Sequence, residues 1–261
     1  MTTPDLKECL ALSTEAAREA ASSVLIHHDQ RVLSSEGKDI KISGDKKLND
    51  IIVNFLERNS PYPVLSEEET SADSPSVTTG YHWIVDPLDG SLNFSRGIPI
   101  FCISIAFWKE KVPLTGVIYD FQHDEMFTGL VGEAAWLNGE SIRVSSVREP
   151  KDAVLGTGFP VRTDYSESAL LHFVREIQLF KKVRLLGSAA ISLAYVAAGR
   201  MDMYRENDIA LWDVAAGIAM VQAAGGIVSS KPSPVINRVT VEASNPFLYD
   251  TYHSKKNEGG E

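Results

Sequence analysis

The feature of this sequence that most constrains its fold is an acidic corner at residues 83–94, WIVDPLDGSLNF. The apolar run at residues 83–85 indicates the end of a buried strand. Asp86 follows directly, and the proline after it fixes the backbone torsion φ and removes a hydrogen-bond donor, which we expect to end the strand. Asp89 then begins a turn. The strand therefore delivers two carboxylates and the Ser91 hydroxyl to one short corner.

Two carboxylates in one corner repel each other unless one is protonated or a cation neutralises them. A divalent cation is the simplest neutraliser, and hard oxygen ligands suit Mg²⁺. A plain surface turn is the competing interpretation, because Asp-Gly corners are common between strands. On this stretch alone both interpretations stay open.

The length and the charge of the chain restrict its class. Its 261 residues suit one large domain or two fused subdomains and can bury a sizeable core. The net charge of −10 repels a phosphate backbone, so nucleic acid is not expected as a partner. The same charge repels a small phosphate ester unless bound cations reverse the local sign.

The cysteine count and the apolar runs indicate the compartment. Cys9 and Cys102 are too few for a disulfide framework and suit a reducing environment. No apolar run approaches the ~20 residues of a membrane span, and the N-terminus lacks the pattern of a signal peptide. We therefore expect a soluble, cytoplasmic protein that does not bind membranes.

Three more acidic residues lie at the start or the end of predicted elements. Glu67 follows a short apolar strand at residues 64–65, and a parallel pairing with the strand before Asp86 would bring both carboxylates to one sheet edge. Asp213 is expected in the first turn of a buried helix, where a carboxylate needs a cation or a backbone partner. Asp45 precedes an apolar helical stripe and is an N-cap candidate.

The remaining patterns predict a mixed fold in two halves. A long helix is expected at residues 4–31, followed after residue 100 by a largely antiparallel sheet. From residue 151 strands and helices alternate, which indicates an α/β arrangement with some parallel pairing. There, a strand runs into a helix that begins at Gly187 and Ser188, and such a helix N-terminus favours an anion. Gly156-x-Gly158 matches a phosphate loop only weakly.

At this point the motifs resemble those of a known family. Residues 83–94 resemble the first signature of the inositol monophosphatase family, and residues 212–226 resemble its second. Shorter motifs at residues 43–45, 66–69 and 187–190 fall in the family order, and the resemblance covers nearly the whole chain. It implies a layered α-β-α-β-α sandwich that often assembles as a dimer.

We divide the expected sandwich into two subdomains and a tail. The N-terminal subdomain, residues 1–150, would carry most metal ligands. The C-terminal α/β subdomain, residues 151–255, would supply Asp213 and substrate contacts. Residues 256–261 are polar and charged and are expected to be disordered.

The resemblance also implies a role for particular residues. Two or three Mg²⁺ ions would be held by Glu67, Asp86, the Leu88 carbonyl, Asp89 and Asp213. The attacking water would be oriented by Glu67 and by Ser91, which is supported by Asp45; Ser91 replaces a commoner threonine. Substrate contacts would come from Gly90, Ser91, Gly187, Ser188, Ala189 and Glu206.

The implied activity is a Mg²⁺-dependent hydrolysis of a small phosphate monoester, with myo-inositol monophosphate or a related sugar or polyol phosphate as substrate. Hydrolysis of a 3′(2′),5′-bisphosphate nucleotide and fructose-1,6-bisphosphatase activity are the alternatives within the same superfamily. For a second phosphate, Arg184 and Arg205 are the available partners. A non-catalytic regulatory binding protein is the alternative of another class.

Overall fold

The structure is a computed structural model that describes residues 3–25, 32–36, 39–69, 79–159 and 163–258. Within these ranges the chain forms seven α-helices, a two-stranded hairpin, a seven-stranded sheet and a five-stranded sheet. None of the helices in the described part is long and apolar enough to cross a lipid bilayer.

The first segment is a helix, a hairpin and a second helix. Helix α1 spans Leu6–Leu25, strands β1 (Val32–Glu36) and β2 (Asp39–Ile42) pair antiparallel, and α2 spans Ser43–Asn59. Helix α1 begins at Leu6 because the Asp5 side chain accepts a hydrogen bond from the backbone N–H of Lys7 at 2.9 Å. The helix predicted for residues 4–31 is thus confirmed up to Leu25, and residues 26–31 lie outside the described ranges.

The seven-stranded sheet follows chain order. Its strands are β3 (Val64–Ser66), β4 (Tyr81–Asp89), β5 (Cys102–Lys109), β6 (Val112–Asp120), β7 (Glu125–Leu130), β8 (Ala134–Leu137) and β9 (Glu140–Ile142). Strand β3 pairs parallel to β4, and every later pair is antiparallel. A 3₁₀ turn at Glu67–Glu69 follows β3, and helix α3 (Ser91–Arg96) follows β4. The antiparallel sheet predicted for this half is confirmed.

The five-stranded sheet is mixed. Its strands are β10 (Val154–Gly156), β11 (Lys182–Arg184), β12 (Met203–Ala210), β13 (Ile227–Pro232) and β14 (Arg238–Ser244), in the order β11-β10-β12-β14-β13. Strand β10 is parallel to both neighbours, and the other pairs are antiparallel. Between and after these strands lie α4 (Glu167–Ile177), α5 (Ala189–Ala197), α6 (Leu211–Ala223) and α7 (Pro246–Glu258). The expected α/β alternation with parallel pairing is confirmed.

The elements stack in five layers. Helices α1 and α2 cover one face of the seven-stranded sheet, where Leu48 and Ile52 pack with Trp83 and Ile103. Helices α5 and α6 lie between the two sheets, because their side chains are apolar nearly all round. Helices α4 and α7 cover the outer face of the five-stranded sheet. The layered α-β-α-β-α sandwich is thereby established.

The central layer requires a close approach between α6 and the seven-stranded sheet. A Cβ atom at Gly116 of β6 would lie 2.2 Å from the Ala216 carbonyl oxygen of α6. Only glycine fits there without displacing the helix backbone. Gly116 therefore helps to fix the position of α6, the helix that carries Asp213.

The C-terminal segment corrects one expectation. Residues 256–258 were expected to be disordered, but α7 continues to Glu258. Leu248 and Tyr252 are buried against Phe180 and the five-stranded sheet, which anchors the helix despite its polar composition. Residues 259–261 lie outside the described ranges. The division into subdomains at residue 150 stays a prediction.

Candidate active site

The acidic site begins at the edge where β3 and β4 end. The two strands pair in parallel with Ser66 opposite Val85, so Glu67 and Asp86, each the next residue, emerge at the same edge. This is the arrangement that the sequence predicted from the two apolar runs.

Three carboxylates meet at this edge. One oxygen from each of Glu67, Asp86 and Asp213 lies within 4.8 Å of the other two. Asp213 arrives from the first turn of α6, in the second half of the chain. A set made only of carboxylate oxygens is the donor chemistry that a hard divalent cation such as Mg²⁺ prefers.

The corner after Asp86 differs from the expectation that the proline ends the strand. Strand β4 continues to Asp89, which pairs with Cys102, and the ladder is only interrupted by a register shift between Asp86 and Asp89. Such a bulge bends the strand and re-aims its side chains. Within it, Asp86 Oδ1 accepts from the Leu88 N–H at 3.0 Å, and Ser91 Oγ donates to the Leu88 carbonyl at 3.2 Å. The bulge thus places two aspartates, the Leu88 carbonyl and the Ser91 hydroxyl together.

Asp89 is held by the N-terminus of α5. Its Oδ2 accepts from Ser188 Oγ at 2.5 Å and from the Ala190 N–H at 2.7 Å. Ser188 is also the N-cap of α5, since its Oγ accepts from the Ile191 N–H at 3.2 Å. The sequence predicted an anion at this helix N-terminus, and in the structure a protein carboxylate is one such anion.

The electrostatics of the cluster test whether a cation fits. Burial raises the pKa of Asp86 and of Asp213 well above the ordinary value, and the neighbouring Glu67 carboxylate raises both further. Burial also raises the pKa of Asp89 to about 6, against the hydrogen bonds from Ser188 and the α5 backbone. Ionising all of these carboxylates near neutral pH costs free energy unless a positive charge compensates their mutual repulsion. The residues therefore fit a metal site.

A cavity of about 190 Å³ opens beside the cluster. Of the predicted residues, it is lined by Asp89, Gly187, Ser188, Ala189, Glu206 and Asp213. The structure thus brings two predicted metal ligands and four predicted substrate contacts to one cavity. Gly90 follows the lining residue Asp89 in the chain and directly precedes α3, with a left-handed φ of +89°.

Glu206 stands at the wall of this cavity. Strand β12 has a register shift between Glu206 and Ile209, and the Glu206 side chain is buried. Its Oε2 accepts from the Tyr204 hydroxyl at 2.7 Å. Burial raises the pKa of Glu206 to about 7, so its charge changes close to neutral pH.

Six further lining residues were not predicted as site residues from the sequence: Thr157, Gly158, Phe159, Ser192, Tyr204 and Ile209. A Cβ atom at Gly158 would lie 2.6 Å from Glu206 Oε2, so the backbone approaches Glu206 closely there. The one available signal was the Gly156-x-Gly158 pattern, which matched a phosphate loop only weakly and did not indicate its neighbour Glu206.

Asp45 corrects another expectation. It is not the N-cap of α2 but its third residue, because β2 runs directly into a helix that already begins at Ser43. Its side chain is buried. The support that Asp45 would give to Ser91 stays a prediction.

Comparisons with known proteins complete the description. The model of the inositol monophosphatase family matches residues 5–257. Inositol monophosphatase 1 of Solanum lycopersicum is 36% identical over 258 residues, which are 95% of this chain and 94% of the relative. Nus factor SuhB of Escherichia coli (strain K12) is 34% identical over 227 residues, or 84% of each chain. The solved inositol monophosphatase from Anabaena (Nostoc) sp. PCC 7120 has a TM-score of 0.83 at 32% identity and covers 98% of this chain and 97% of its own.

Proposed function

The chain belongs to the inositol monophosphatase family, and on that premise we propose that it is a Mg²⁺-dependent phosphatase acting on myo-inositol monophosphate or a related sugar or polyol monophosphate. Family membership supports phosphatase activity in general. The observation that carries the finer proposal is the cluster of Glu67, Asp86 and Asp213, whose oxygens lie within 4.8 Å of one another beside a cavity of substrate-contact residues.

The metal ligands in this proposal are Glu67, Asp86, the Leu88 carbonyl, Asp89 and Asp213, for two or three Mg²⁺ ions. When bound, Mg²⁺ neutralises phosphate charge, makes the attacking water more acidic and stabilises the leaving alkoxide. The bulge in β4 and the α5 N-terminus support this role, because they fix the orientations of Asp86 and Asp89 before any ligand binds.

The water that attacks phosphorus needs an orienting group and a proton acceptor. Glu67 lies at the cluster edge and serves as the acceptor. Ser91, whose hydroxyl already lies against the Leu88 carbonyl, orients the same water with the support of Asp45. Gly187, Ser188 and Ala189 receive the phosphate at the cavity wall.

Glu206 favours a polyol as the alcohol part. An ionised, buried carboxylate next to the phosphate site accepts hydrogen bonds from hydroxyl groups, and these contacts distinguish a polyol from a plain alkyl group. The Tyr204 hydroxyl uses Oε2 and leaves lone pairs of the carboxylate to the substrate.

The pairing of Arg205 argues for one phosphate rather than two. Arg205 is paired with Glu176 and, at 2.7 Å, with Glu242. Arg184 is exposed, with Nη1 on the Val183 carbonyl at 3.0 Å. A guanidinium already neutralised by two carboxylates gives little to a second phosphate. This supports a monophosphate over a bisphosphate nucleotide or fructose 1,6-bisphosphate.

A regulatory binding role without catalysis is the second candidate, because a relative of 34% identity carries the name Nus factor SuhB. The acidic cluster favours the enzyme, since a pure binding role would not need to keep three carboxylates, one of them buried, in mutual repulsion. We also propose the homodimer that the resemblance implies, which size-exclusion chromatography with light scattering would test.

The test is phosphate release from myo-inositol 1-phosphate, 3′-phosphoadenosine 5′-phosphate and fructose 1,6-bisphosphate, each with Mg²⁺ and with EDTA. We expect Mg²⁺-dependent release with a preference for the monophosphate. A preference for either bisphosphate would replace the substrate assignment. Release from none of them would favour the regulatory candidate.

A further inference from the structure

A second cavity lies between the two sheets, apart from the active site. It has a volume of about 450 Å³, and we name it the intersheet cavity. Its walls come from strands β3, β4, β5 and β6, from β13 and β14 with the hairpin loop that joins them, and from helix α6. No residue of the described ranges lines both this cavity and the smaller one that contains Asp89 and Asp213.

The buried lining residues of the intersheet cavity are mainly apolar and form its floor. Among them are Leu65, Trp108 and Ile218, each at most 6% exposed. The rim is open, since Ile236 keeps 47% of its surface exposed. Packed protein interiors leave few voids larger than a water molecule. A cavity of this volume with an apolar floor is instead the usual form of a small-molecule site.

The hairpin loop at the rim is held in place by hydrogen bonds. The Leu211 N–H at the start of α6 donates to the Asn237 carbonyl at 2.8 Å. Ser233 Oγ donates to Asp208 Oδ1 at 2.5 Å. The cavity is therefore already formed, and a ligand binds there without the entropy cost of ordering a loop.

The charged groups of the intersheet cavity favour an uncharged ligand. Arg238 is already paired, because its Nε lies 3.4 Å from the Asp208 carboxylate and donates to the Asp208 carbonyl at 2.8 Å. Glu110 and Lys111 are exposed neighbours of opposite charge. The described lining thus offers little unbalanced charge to an anion or a cation.

His82 supplies a polar anchor in the cavity wall. It is 1% exposed, and its Nδ1 lies 3.3 Å from the Gly80 carbonyl. Burial lowers the pKa of His82, so the imidazole is neutral near pH 7. Because a carbonyl only accepts, Nδ1 carries the proton and Nε2 keeps a lone pair. No described residue donates to Nε2, and a buried acceptor without a donor carries a free-energy cost.

We propose that the intersheet cavity binds a small uncharged molecule of the phenol class, in which an apolar aromatic ring system carries one hydroxyl group. The hydroxyl donates a hydrogen bond to His82 Nε2, and the ring system replaces water on the apolar floor. The site is separate from the proposed phosphate site. The inference therefore goes beyond the proposed phosphatase function and does not depend on it.

A matched pair of ligands isolates the hydroxyl group. 2-Naphthol and 2-methoxynaphthalene share the ring system, but the methyl ether has no O–H to donate. Equilibrium dialysis against the full-length protein with Mg²⁺ measures both affinities. We expect a Kd of about 0.1 mM for 2-naphthol and about tenfold weaker binding of the ether, which leaves His82 Nε2 unpaired.

Three variants locate the binding. His82→Phe keeps an aromatic ring but removes the acceptor, so 2-naphthol should fall to the affinity of the ether while the ether stays within about twofold of wild type. Val235→Trp fills the cavity from the hairpin rim and should weaken both ligands about tenfold or more. Val112→Trp is the matched control, because Val112 is 56% exposed and does not line the cavity, and it should keep wild-type binding.

Each outcome bears on a different part of the proposal. No binding of 2-naphthol to wild type, or an unchanged Kd in Val235→Trp, would overturn the site. Equal affinities of the two ligands for wild type, or a preference for 2-naphthol that persists in His82→Phe, would overturn the pairing with His82 and the ligand class with it. Thermal unfolding of each variant identifies a folding defect, and Val235→Trp retains the test if His82→Phe is unstable. Phosphate release from myo-inositol 1-phosphate tests the phosphatase function independently of these results.

Discussion

The Ser188 hydroxyl donates to Asp89 Oδ2 over 2.5 Å and thereby joins two residues that are 99 positions apart in the chain. The contact ties the bulged end of β4 to the N-terminus of α5, in the other half of the sandwich. The Ala190 N–H adds a second bond to the same oxygen at 2.7 Å. The orientation of a proposed metal ligand in the first sheet is therefore set by a helix that packs between both sheets.

Replacing Ser188 by alanine should damage both the helix and the metal site. The variant loses the N-cap bond to Ile191 and the bond to Asp89, so we expect the free energy of unfolding to fall by about 1–2 kcal/mol. The pKa of Asp89 should rise above about 6, which weakens Mg²⁺ binding near neutral pH. Urea unfolding and calorimetric Mg²⁺ titration measure the two effects.

Ser166→Ala is the matched control for this variant, since Ser166 caps α4 but has no contact with Asp89. It should lose stability without a change in Mg²⁺ affinity. Wild-type Mg²⁺ affinity in Ser188→Ala would contradict the role assigned to the Ser188–Asp89 bond.

Asp213→Asn should stabilise the metal-free protein at neutral pH. Burial and the neighbouring carboxylates raise the pKa of Asp213 above its value in the unfolded chain, so the folded state binds more protons. The contribution of Asp213 to the free energy of unfolding is therefore fully present below its unfolded pKa of about 4. This contribution is lost as the pH rises through the folded pKa. In EDTA, we expect the variant to exceed wild type by about 1 kcal/mol at pH 7.5 and by less at pH 5.

Thermal unfolding in EDTA from pH 5 to pH 8 gives this difference directly. Asp250→Asn serves as the control, because Asp250 is an exposed aspartate on α7, outside the acidic cluster. A constant difference between wild type and Asp213→Asn over this range would show that the cluster does not disfavour its own ionisation.

Tyr204→Phe should shift the pH dependence of catalysis. Burial raises the pKa of Glu206 to about 7, and the Tyr204 hydroxyl opposes that rise, so its removal raises the pKa further. If ionised Glu206 accepts a hydrogen bond from a substrate hydroxyl, the acid limb of the pH profile of kcat/KM for myo-inositol 1-phosphate moves to higher pH. At pH 7, KM then rises about threefold. Tyr119→Phe is the control, since Tyr119 donates to Asp124 at 2.9 Å, outside the cavity lining. An unmoved acid limb would exclude this role of Glu206.

Glu176→Gln should lower the free energy of unfolding, because Glu176 joins helix α4 to its neighbours on the outer face of the five-stranded sheet. Burial raises the pKa of Glu176, but the Lys256 bond at 2.7 Å and the Arg205 charge outweigh it and hold the pKa below its ordinary value of 4.5. Its stabilisation is therefore present above about pH 4.5 and lost as the pH falls through the lower folded pKa. We expect a loss of about 2 kcal/mol at pH 7 that shrinks toward pH 3.

Urea unfolding between pH 3 and pH 7 tests this variant. Glu167→Gln is the control on the same helix, where the carboxylate is exposed at the first turn and its change should cost less than about 0.5 kcal/mol. An equal loss of unfolding free energy at pH 3 and pH 7 would mean that the packing of the Glu176 side chain, and not its charge, provides the stabilisation.

The parts that could be predicted from the sequence depend on local rules. Glu67 and Asp86 each follow an apolar run, and parallel pairing of those runs brings them to one edge. Ser188 precedes a run of small apolar residues, which correctly indicated the start of α5. In these cases the local sequence pattern and the tertiary packing favour the same backbone conformation.

The parts that could not be predicted depend on distant contacts. Helix α7 has a polar composition and is anchored by Leu248 and Tyr252. Its sequence therefore shows no apolar stripe from which a helix could be predicted. The pairing of Tyr204 and Gly158 with Glu206 requires the register of the second sheet. The start of α2 was predicted three residues too late, with Asp45 as the N-cap, because the apolar stripe alone does not show that the helix already begins at Ser43.

The most direct measurement is phosphate release from myo-inositol 1-phosphate by wild type and Asp213→Asn, each with Mg²⁺ and with EDTA. We predict Mg²⁺-dependent turnover by the wild-type enzyme, no turnover in EDTA, and a loss of about a hundredfold or more in the variant, because one carboxylate of the cluster is gone. Turnover that persists in EDTA, or that is unchanged in Asp213→Asn, would contradict a metal-dependent phosphatase at this site.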